Sequence, residues 1–228
     1  MPHPDPTPGR PEDAAHDLIH TRQTILPKRL LAPGPDAAQL QAIVSAAAAA
    51  PDHDQLHPWR FITVPDAQRP ALADSFAQAL LERDAQATPE QVAQAREKAF
   101  RAPLLMLLVV DAACGDPDID LHERLISAGC AVQNMLLMAT TQGFGSVLTS
   151  GKALKSAALR QLFGLQAHEY APCFISIGTA HTRKPTKPRP SPAQLLSTLG
   201  AAALEADGST ALTGTAASGT SALTSGTA

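Results

Sequence analysis

Four short polar segments contain the side chains of this 228-residue chain that could do chemistry. The first is Arg22-Gln23-Thr24, which offers a guanidinium, a hydroxyl and backbone N–H groups that could hold a phosphate or the polar edge of a ring. The alternative is a surface arginine near the C-terminus of a helix, where the helix dipole favours a positive charge. This segment therefore indicates a ligand contact only when other segments support it.

The second segment is the loop 51–59, which contains two histidines and two aspartates. His53 and His57 have a spacing that suits zinc on a helix, but Pro51 and Pro58 make a helix unfavourable here. No cysteine or glutamate lies beside the histidines, and the chain has no nucleophile elbow for Ser/His/Asp catalysis. We predict no metal site, and two alternatives remain open: contact with an organic ligand, or a solvated loop.

The third segment, 143–151, contains Gly-Phe-Gly between a predicted helix and a predicted strand. A dinucleotide-binding turn has the reverse order and a third glycine, so the sequence excludes a Rossmann fold. What remains is a turn whose backbone groups could face a ligand.

The fourth segment, 183–190, places four positive charges within eight residues after the last predicted strand. It is either a solvated proline-rich segment or a clamp on a phosphate.

The elements that must position these segments follow from hydrophobic periodicity and cap signals. The pattern predicts six helices, over residues 14–22, 36–50, 70–84, 88–100, 116–142 and 154–163. It also predicts four strands, over residues 60–64, 104–110, 146–149 and 171–178. Apolar residues cover more than one stripe of the longest helix, so we expect its middle to be buried nearly all round. The mixture predicts an α+β or α/β domain.

Composition excludes several classes of protein. The net charge of −3 gives no general attraction to nucleic acid or acidic membranes, and no apolar run approaches the ~20 residues of a membrane span. The N-terminus lacks the basic and then apolar pattern of an export signal. The three cysteines are widely spaced, which argues against a disulfide framework and fits a reducing compartment. We therefore expect a cytoplasmic protein without nucleic-acid or membrane partners.

The two ends of the chain have little capacity to form a core. Residues 1–13 contain five prolines, and residues 200–228 hold 24 Ala, Gly, Ser or Thr among 29. Such segments bury too little apolar surface to offset the loss of chain entropy. We predict a disordered N-terminal segment over 1–13, one domain over 14–199, and a low-complexity disordered tail over 200–228.

Taken in order, the motifs resemble the nitroreductase family, most closely its small single-domain branch of FMN-dependent NAD(P)H oxidoreductases. The resemblance covers about residues 14–190 and is most specific in the long helix and the Gly-Phe-Gly turn. The motifs that carry it are Arg22-Gln23-Thr24, Ala50-Pro51-Asp52-His53 with Pro58-Trp59, 127–135 (SAGCAVQNM), 142–146 (QGFGS) and 176–179 (SIGT).

The resemblance implies an α+β nitroreductase-like fold, in which helices flank a central, mostly antiparallel sheet and the long helix lies at the interface of a homodimer. It implies one non-covalent FMN per chain, and an FMN-binding domain over 14–199. The residues that it assigns to the flavin are Arg22, Gln23, Thr24, His53, His57, Leu148, Thr149, Ser150 and, for the phosphate, Arg189. Those that it assigns to the nicotinamide are Leu137, Met138, Ala139, Thr140, Thr141 and Gln142.

The implied reaction is a ping-pong transfer of a hydride from NAD(P)H through flavin N5 to a small organic acceptor, such as a nitroarene, a quinone or an enone. The cofactor does the chemistry, so no catalytic residue of the protein is assigned. Gln23, His57 and Leu148-Thr149 depart from the pattern common in the family, which leaves the acceptor open. The alternatives are a non-catalytic FMN-binding or structural homodimer, and a flavoenzyme of the same fold with different chemistry.

Overall fold

The computed structural model describes residues 10–182, 185 and 188–199. The chain divides into two compact units, 1–186 and 187–228. The helices of the first unit are α1 (Pro11–Thr21), α2 (Ala37–Ala47), α3 (Arg69–Arg83), α4 (Pro89–Glu97), α5 (Leu121–Thr141) and α6 (Ala157–Leu162). Its strands are β1 (Trp59–Thr63), β2 (Leu104–Asp111), β3 (Gly145–Thr149), β4 (Glu169–Tyr170) and β5 (Phe174–Gly178). The described part of the second unit contains the short helix α7 (Pro192–Leu195).

One sheet organises the first unit. The strand order is β1-β2-β5-β3, every pairing is antiparallel, and β4 pairs with the end of β2. Six consecutive residues of β2 are buried, so helices cover this strand on both faces, as its unbroken apolar run predicts. The prediction of an α+β fold with a mostly antiparallel sheet flanked by helices is confirmed, and the parallel α/β alternative is wrong.

The two faces of the sheet bury two separate clusters. Met106, Leu108 and Val110 pack with residues of α2 and α5 on one face. Leu105, Leu107 and Val109 pack with residues of α3 and α6 on the other. Successive residues of a strand point to opposite faces, which is how β2 serves both clusters. A side chain near the end of a strand therefore belongs to one face or the other according to its register.

The predicted cap signals begin two helices. Asp36 and Gln39 form a capping box at the start of α2, and Thr88 and Gln91 form another at the start of α4. In each case the side chain of the cap accepts from the N3 backbone N–H, while the N3 glutamine accepts from the N–H of the cap. A third box, from Ser191 and Gln194, begins α7.

Several predicted bounds are wrong by a few residues. α5 begins at Leu121 and not at 116, because the Asp120 carboxylate accepts from the N–H groups of His122 and Glu123 and fixes the start there. α1 begins at Pro11, where proline suits the first helical position. The strand predicted over 171–178 begins at Phe174, and the two-residue strand β4 before it was missed.

The middle of α5 is not buried all round within one chain. Ile126 is 69% exposed, and Gly129 and Gln133 are exposed on the same helix. The additional apolar residues of α5 therefore form an exposed face and do not extend the core.

Some of the predictions fall outside the described residues. These are the predictions for the segments 1–9 and 200–228 and for most of the basic segment, with Arg183, Lys184 and Lys187. In the part of the chain that is described, none of the helices is long and apolar enough to cross a membrane.

Candidate functional site

The segment Arg22-Gln23-Thr24 runs alongside the edge strand β3. Thr24 forms a parallel bridge with Ser146, and the N–H of Ile25 donates to the Ser146 carbonyl at 3.0 Å. Arg22 is the C-cap of α1, where its backbone N–H donates to Leu18. The structure thus brings the first and third predicted segments together, with Arg22 and Gln23 half-buried at the start of β3.

The far end of β3 borders a cavity of about 860 Å³, and Thr149 and Ser150 form part of its wall. Leu105, Phe174 and Ser176 contribute the sheet face, while residues of α3 and α4 line the opposite side. Pro27, which follows the Arg22 segment, reaches the same cavity. A volume of ~300–1,000 Å³ is typical of sites for organic cofactors and substrates, so this cavity has the size of a ligand site.

Gly151 ends this stretch with a φ of +156°, and a Cβ atom there would meet nothing within 4 Å. A residue with a side chain adopts such a φ only with strain, which favours glycine directly after Ser150. Gly151 also lines the cavity, beside Thr149 and Ser150. Strand-end residues were predicted from the family resemblance, whereas the cavity itself has no signature in the sequence.

Four cationic side chains also line the cavity: those of Arg83, Lys98, Arg101 and Lys152. Glu97 is the carboxylate among the lining residues, and it accepts from Arg101 Nη2 at 3.4 Å. The Arg101 Nε atom is buried without a hydrogen-bond partner in the described part of the chain. None of the four was predicted, because they come from three separate elements. The one local signal is the pair of cations three residues apart, Lys98 and Arg101, directly before β2.

The histidine loop is fixed to α5 through Asp52. The Ser127 hydroxyl lies 2.7 Å from the Pro51 carbonyl oxygen and 2.8 Å from Asp52 Oδ1, and Asp52 Oδ2 accepts from the His57 N–H at 2.6 Å. Asp54, Gln55 and His57 all have positive φ angles near 50°. Non-glycine residues rarely adopt this conformation, so the bonds from Asp52 hold the loop in a strained shape.

His53 and Glu123 form an ion pair at the N-terminal end of α5. The distance from His53 Nδ1 to Glu123 Oε2 is 3.0 Å, and both side chains are about half exposed. The hydrogen bond to Glu123 raises the pKa of His53 above its usual value; desolvation opposes the rise, and the charges of Asp54, Glu123 and Asp116 add to it. The pairing orients the imidazole, and it favours the protonated ring.

A buried arginine that sequence reasoning missed holds the neighbouring loop. The Arg124 guanidinium, 1% exposed, donates to the carbonyls of Ile119 at 2.9 Å, Cys114 at 2.7 Å and Asp116 at 2.8 Å. A Cβ on Gly115 would lie 2.1 Å from Leu56 Cδ1, so the loop of Arg124 packs tightly against the histidine loop. Position 124 lies on the apolar stripe of α5. A charged residue at such a position is the sequence signal that could have indicated a buried arginine.

The residues predicted to contact the nicotinamide form the last turns of α5. The Thr140 and Thr141 hydroxyls donate to the carbonyls of Leu136 and Met138, and Gln142 Nε2 donates to the Gln39 carbonyl at 3.4 Å. Ala139 is fully buried, so its side chain packs in the core and not toward a ligand. About 22 Å of helix separates Met138 from Glu123, so one chain does not bring this segment and His53 together.

Leu148 does not line the cavity. Leu148 is 44% exposed and, one residue before Thr149, points to the opposite face of the sheet. There it borders an apolar groove of about 190 Å³, whose other lining residues include Leu125, Val132 and Leu136 of α5. Arg189 belongs to the second compact unit and its side chain is exposed. The predicted roles of both residues remain predictions.

Comparison with known proteins identifies the family. The model of the family described as "Nitroreductase family" matches residues 19–179. A Haemophilus influenzae protein named "Putative NAD(P)H nitroreductase" is 35% identical over 162 residues, which span 71% of this chain and 86% of the relative. An Escherichia coli protein of the same name, YdjA, is 34% identical over 187 residues, which span 79% of this chain and 97% of the relative.

Solved structures share the fold at lower identity. The nitroreductase-like family protein from Bacillus cereus has a TM-score of 0.68 at 17% identity, covering 82% of this chain and 96% of that one. The NADPH:FMN oxidoreductase from Vibrio harveyi, solved with NAD⁺, has a TM-score of 0.64 at 20% identity, covering 83% and 78%. An iodotyrosine deiodinase bound to FMN and 3-iodo-L-tyrosine has a TM-score of 0.58 at 20% identity, covering 77% and 95%. The family model and the two relatives above 30% identity confirm the resemblance and the oxidoreductase class predicted from it: the chain belongs to the nitroreductase family.

Proposed function

We propose that this protein binds FMN non-covalently and uses it to pass electrons from NAD(P)H to a small organic acceptor. The observation that carries the proposal is the cavity of about 860 Å³ at the end of β3, with Thr149 and Ser150 in its wall. It has the size of a site for an organic cofactor, and polar groups that could orient one line it. When bound, FMN would supply the hydride-accepting and hydride-donating chemistry that a ping-pong reaction needs.

In this proposal the residues of the chain bind FMN and orient its ring. The backbone groups of Thr149 and Ser150 would meet the polar edge of a ring, because both residues line the cavity and Gly151 beside them adds no side chain to it. Arg22, Gln23 and Thr24 lie along the same strand and would contact the phosphate and ribityl groups, as would Arg189. No acid or base of the protein is required, so no catalytic residue is assigned.

The proposal includes a homodimer formed through α5, which covers the sheet face opposite the cavity of about 860 Å³. His53 and the segment 137–142 lie at opposite ends of α5, and the resemblance assigns them to the flavin and to the nicotinamide. Two copies of α5 in antiparallel contact would bring the histidine loop of one protomer to the segment 137–142 of its partner. The exposed Ile126 and the apolar groove bordered by Leu148 supply the kind of surface that an obligate interface covers.

The test of the proposed function is spectroscopic. The purified protein is expected to be yellow, to release FMN on denaturation as identified by mass spectrometry, and to bleach when NADPH or NADH is added without oxygen. Adding a nitroarene or a quinone should restore the colour. A colourless protein would favour a structural homodimer. Flavin that no reductant bleaches would favour a flavin-binding protein or a flavoenzyme of different chemistry.

A further inference from the structure

The lining of the cavity has an excess of positive charge. Arg83, Lys98, Arg101 and Lys152 face it with a single carboxylate, Glu97. Arg101 is close enough to Glu97 to interact, but Arg83, Lys98 and Lys152 form no ion pair with any residue that the structure describes. The whole chain carries a net charge of −3, so the positive lining of the cavity contrasts with the net negative charge of the protein.

The cations come from separate elements that meet at the cavity. Arg83 is the last residue of α3, Lys98 and Arg101 follow α4, and Lys152 follows the turn after β3. Like charges gathered around one opening repel each other, and the repulsion is relieved when an anion enters. A cleft lined by one sign of charge also raises the local concentration of ligands of the opposite sign.

The flavin alone does not account for this charge. Its ring system is uncharged when oxidised, and its phosphate has a candidate partner in Arg22, which does not line the cavity. The volume of about 860 Å³ is near the upper end of the ~300–1,000 Å³ found for ligand sites. The cavity therefore has room for a second small molecule beside the ring.

We propose that the acceptor of this enzyme is an organic anion, and that Arg83 and Lys152 bind its carboxylate or an equivalent group at the mouth of the cavity. This inference rests on the proposed function and specifies its substrate class. Lys98 and Arg101 add two further positive charges to the lining of the cavity. The acceptor is selected by its charge as well as by its reducible group.

The first test compares 4-nitrobenzoate with the neutral 4-nitrobenzyl alcohol at saturating NADPH. In either reaction the nitro group gains two electrons and two protons and loses one oxygen as water, giving the nitroso compound, while NADPH becomes NADP⁺. The wild type is expected to have the higher kcat/KM for the anion. Arg83→Gln and Lys152→Gln should each lower the ratio of the two kcat/KM values about two- to fivefold, and added salt should lower it as well.

The matched control is Lys155→Gln. Lys155 lies in the same short turn as Lys152 and is exposed, but it does not line the cavity. This variant should keep the wild-type ratio. Calorimetric titration of the flavin-loaded protein with benzoate and with benzyl alcohol gives a readout that needs no turnover. The double variant Arg83→Gln/Lys152→Gln should weaken benzoate binding and leave benzyl alcohol binding unchanged.

Three outcomes would overturn the proposal. The ratio and the benzoate affinity could be unchanged in the double variant. The rates for both acceptors could fall equally, which would place the action of the cations on the flavin. The effect could be confined to reduction by NADPH or NADH in stopped-flow, which would assign the cations to the dinucleotide. Failure of the proposed function is seen separately, as a protein without flavin or with flavin that does not bleach.

Discussion

Arg22 joins a helix end to the edge strand of the sheet, and this position makes its role testable. Arg22→Ala is expected to weaken FMN binding by about 1.5–3 kcal/mol, the usual contribution of a hydrogen bond to a charged group. The measurement is the recovery of flavin fluorescence on dilution of the loaded protein. Arg29→Ala, an exposed arginine seven residues further along, is the control and should retain wild-type affinity. Full retention of flavin by the Arg22 variant at nanomolar protein would show that Arg22 is not a ligand.

The pair of His53 and Glu123 predicts a dependence on pH. Because the pKa of His53 is raised in the folded chain, the pair stabilises the fold fully below the ordinary value of ~6.5. The contribution disappears as the pH rises through the raised value. Glu123→Gln should return the His53 pKa toward the ordinary value, as followed by proton NMR of the imidazole. An unchanged titration would mean that Glu123 does not determine the pKa.

The sequence predicts candidate site residues but not the side chains that contact them. Arg22 and His53 stand in recognisable motifs, so the order of residues alone is enough to select them. Glu123 lies 70 residues after His53, and no local pattern connects the two. The cations of the cavity are equally scattered along the chain, and only the fold brings α3, the residues after α4 and the residues after β3 to one cavity. Contacts between distant segments depend on packing geometry that periodicity does not encode.

Among the elements, the start of α5 depends on one buried side chain. Arg124→Met is expected to lower the free energy of unfolding by about 2–4 kcal/mol, because four backbone carbonyls lose a charged donor and some of them stay buried. Urea denaturation measures the change. His122→Ala, on the exposed side of the same turn, should change it by less than about 0.5 kcal/mol. Equal stability of the two variants would contradict the role of Arg124.

Element types were easier to predict than element ends. The capping boxes at Asp36 and Thr88 give strong local signals, and both helices begin there. Asp116-Pro117 resembles a start of the same kind, but Arg124 holds the carbonyl of Asp116 in a loop and Asp120 becomes the cap. The two-residue β4 could not be predicted, because a strand this short has no hydrophobic pattern and is defined by its pairing with the end of β2.

For the molecule as a whole, the exposed face of α5 predicts the assembly. Ile126→Glu is expected to convert a dimer to a monomer, as measured by light scattering, with loss of flavin, because a charge would replace an apolar contact in a dry interface. Met135 and Leu136 are poor choices for this test, since both are buried in their own chain. Leu81→Glu, an exposed leucine on α3, is the control and should remain dimeric. A wild type that is monomeric and still holds FMN would refute the assembly.

The composition of the C-terminal segment gives a further prediction. Removing residues 200–228 is expected to leave flavin content, activity and melting temperature unchanged, because the segment has too few apolar residues to add to a core. Calorimetry of the full-length and shortened chains makes the comparison. A fall of several degrees in the shortened chain would mean that these residues pack on the domain.

The position of β5 between β2 and β3 has a consequence for biosynthesis. About 60 residues separate the end of β2 from Phe174, so β2 is translated well before the strand that covers its second edge. At ~5–20 residues per second, the ribosome leaves this apolar edge without its partner for roughly 3–12 s. During that interval the nascent chain presents unpaired N–H and C=O groups beside Leu105 and Leu107, which is a template for misassembly. The yield of native protein should therefore be sensitive to the rate of translation and to chaperones that hold the half-built sheet.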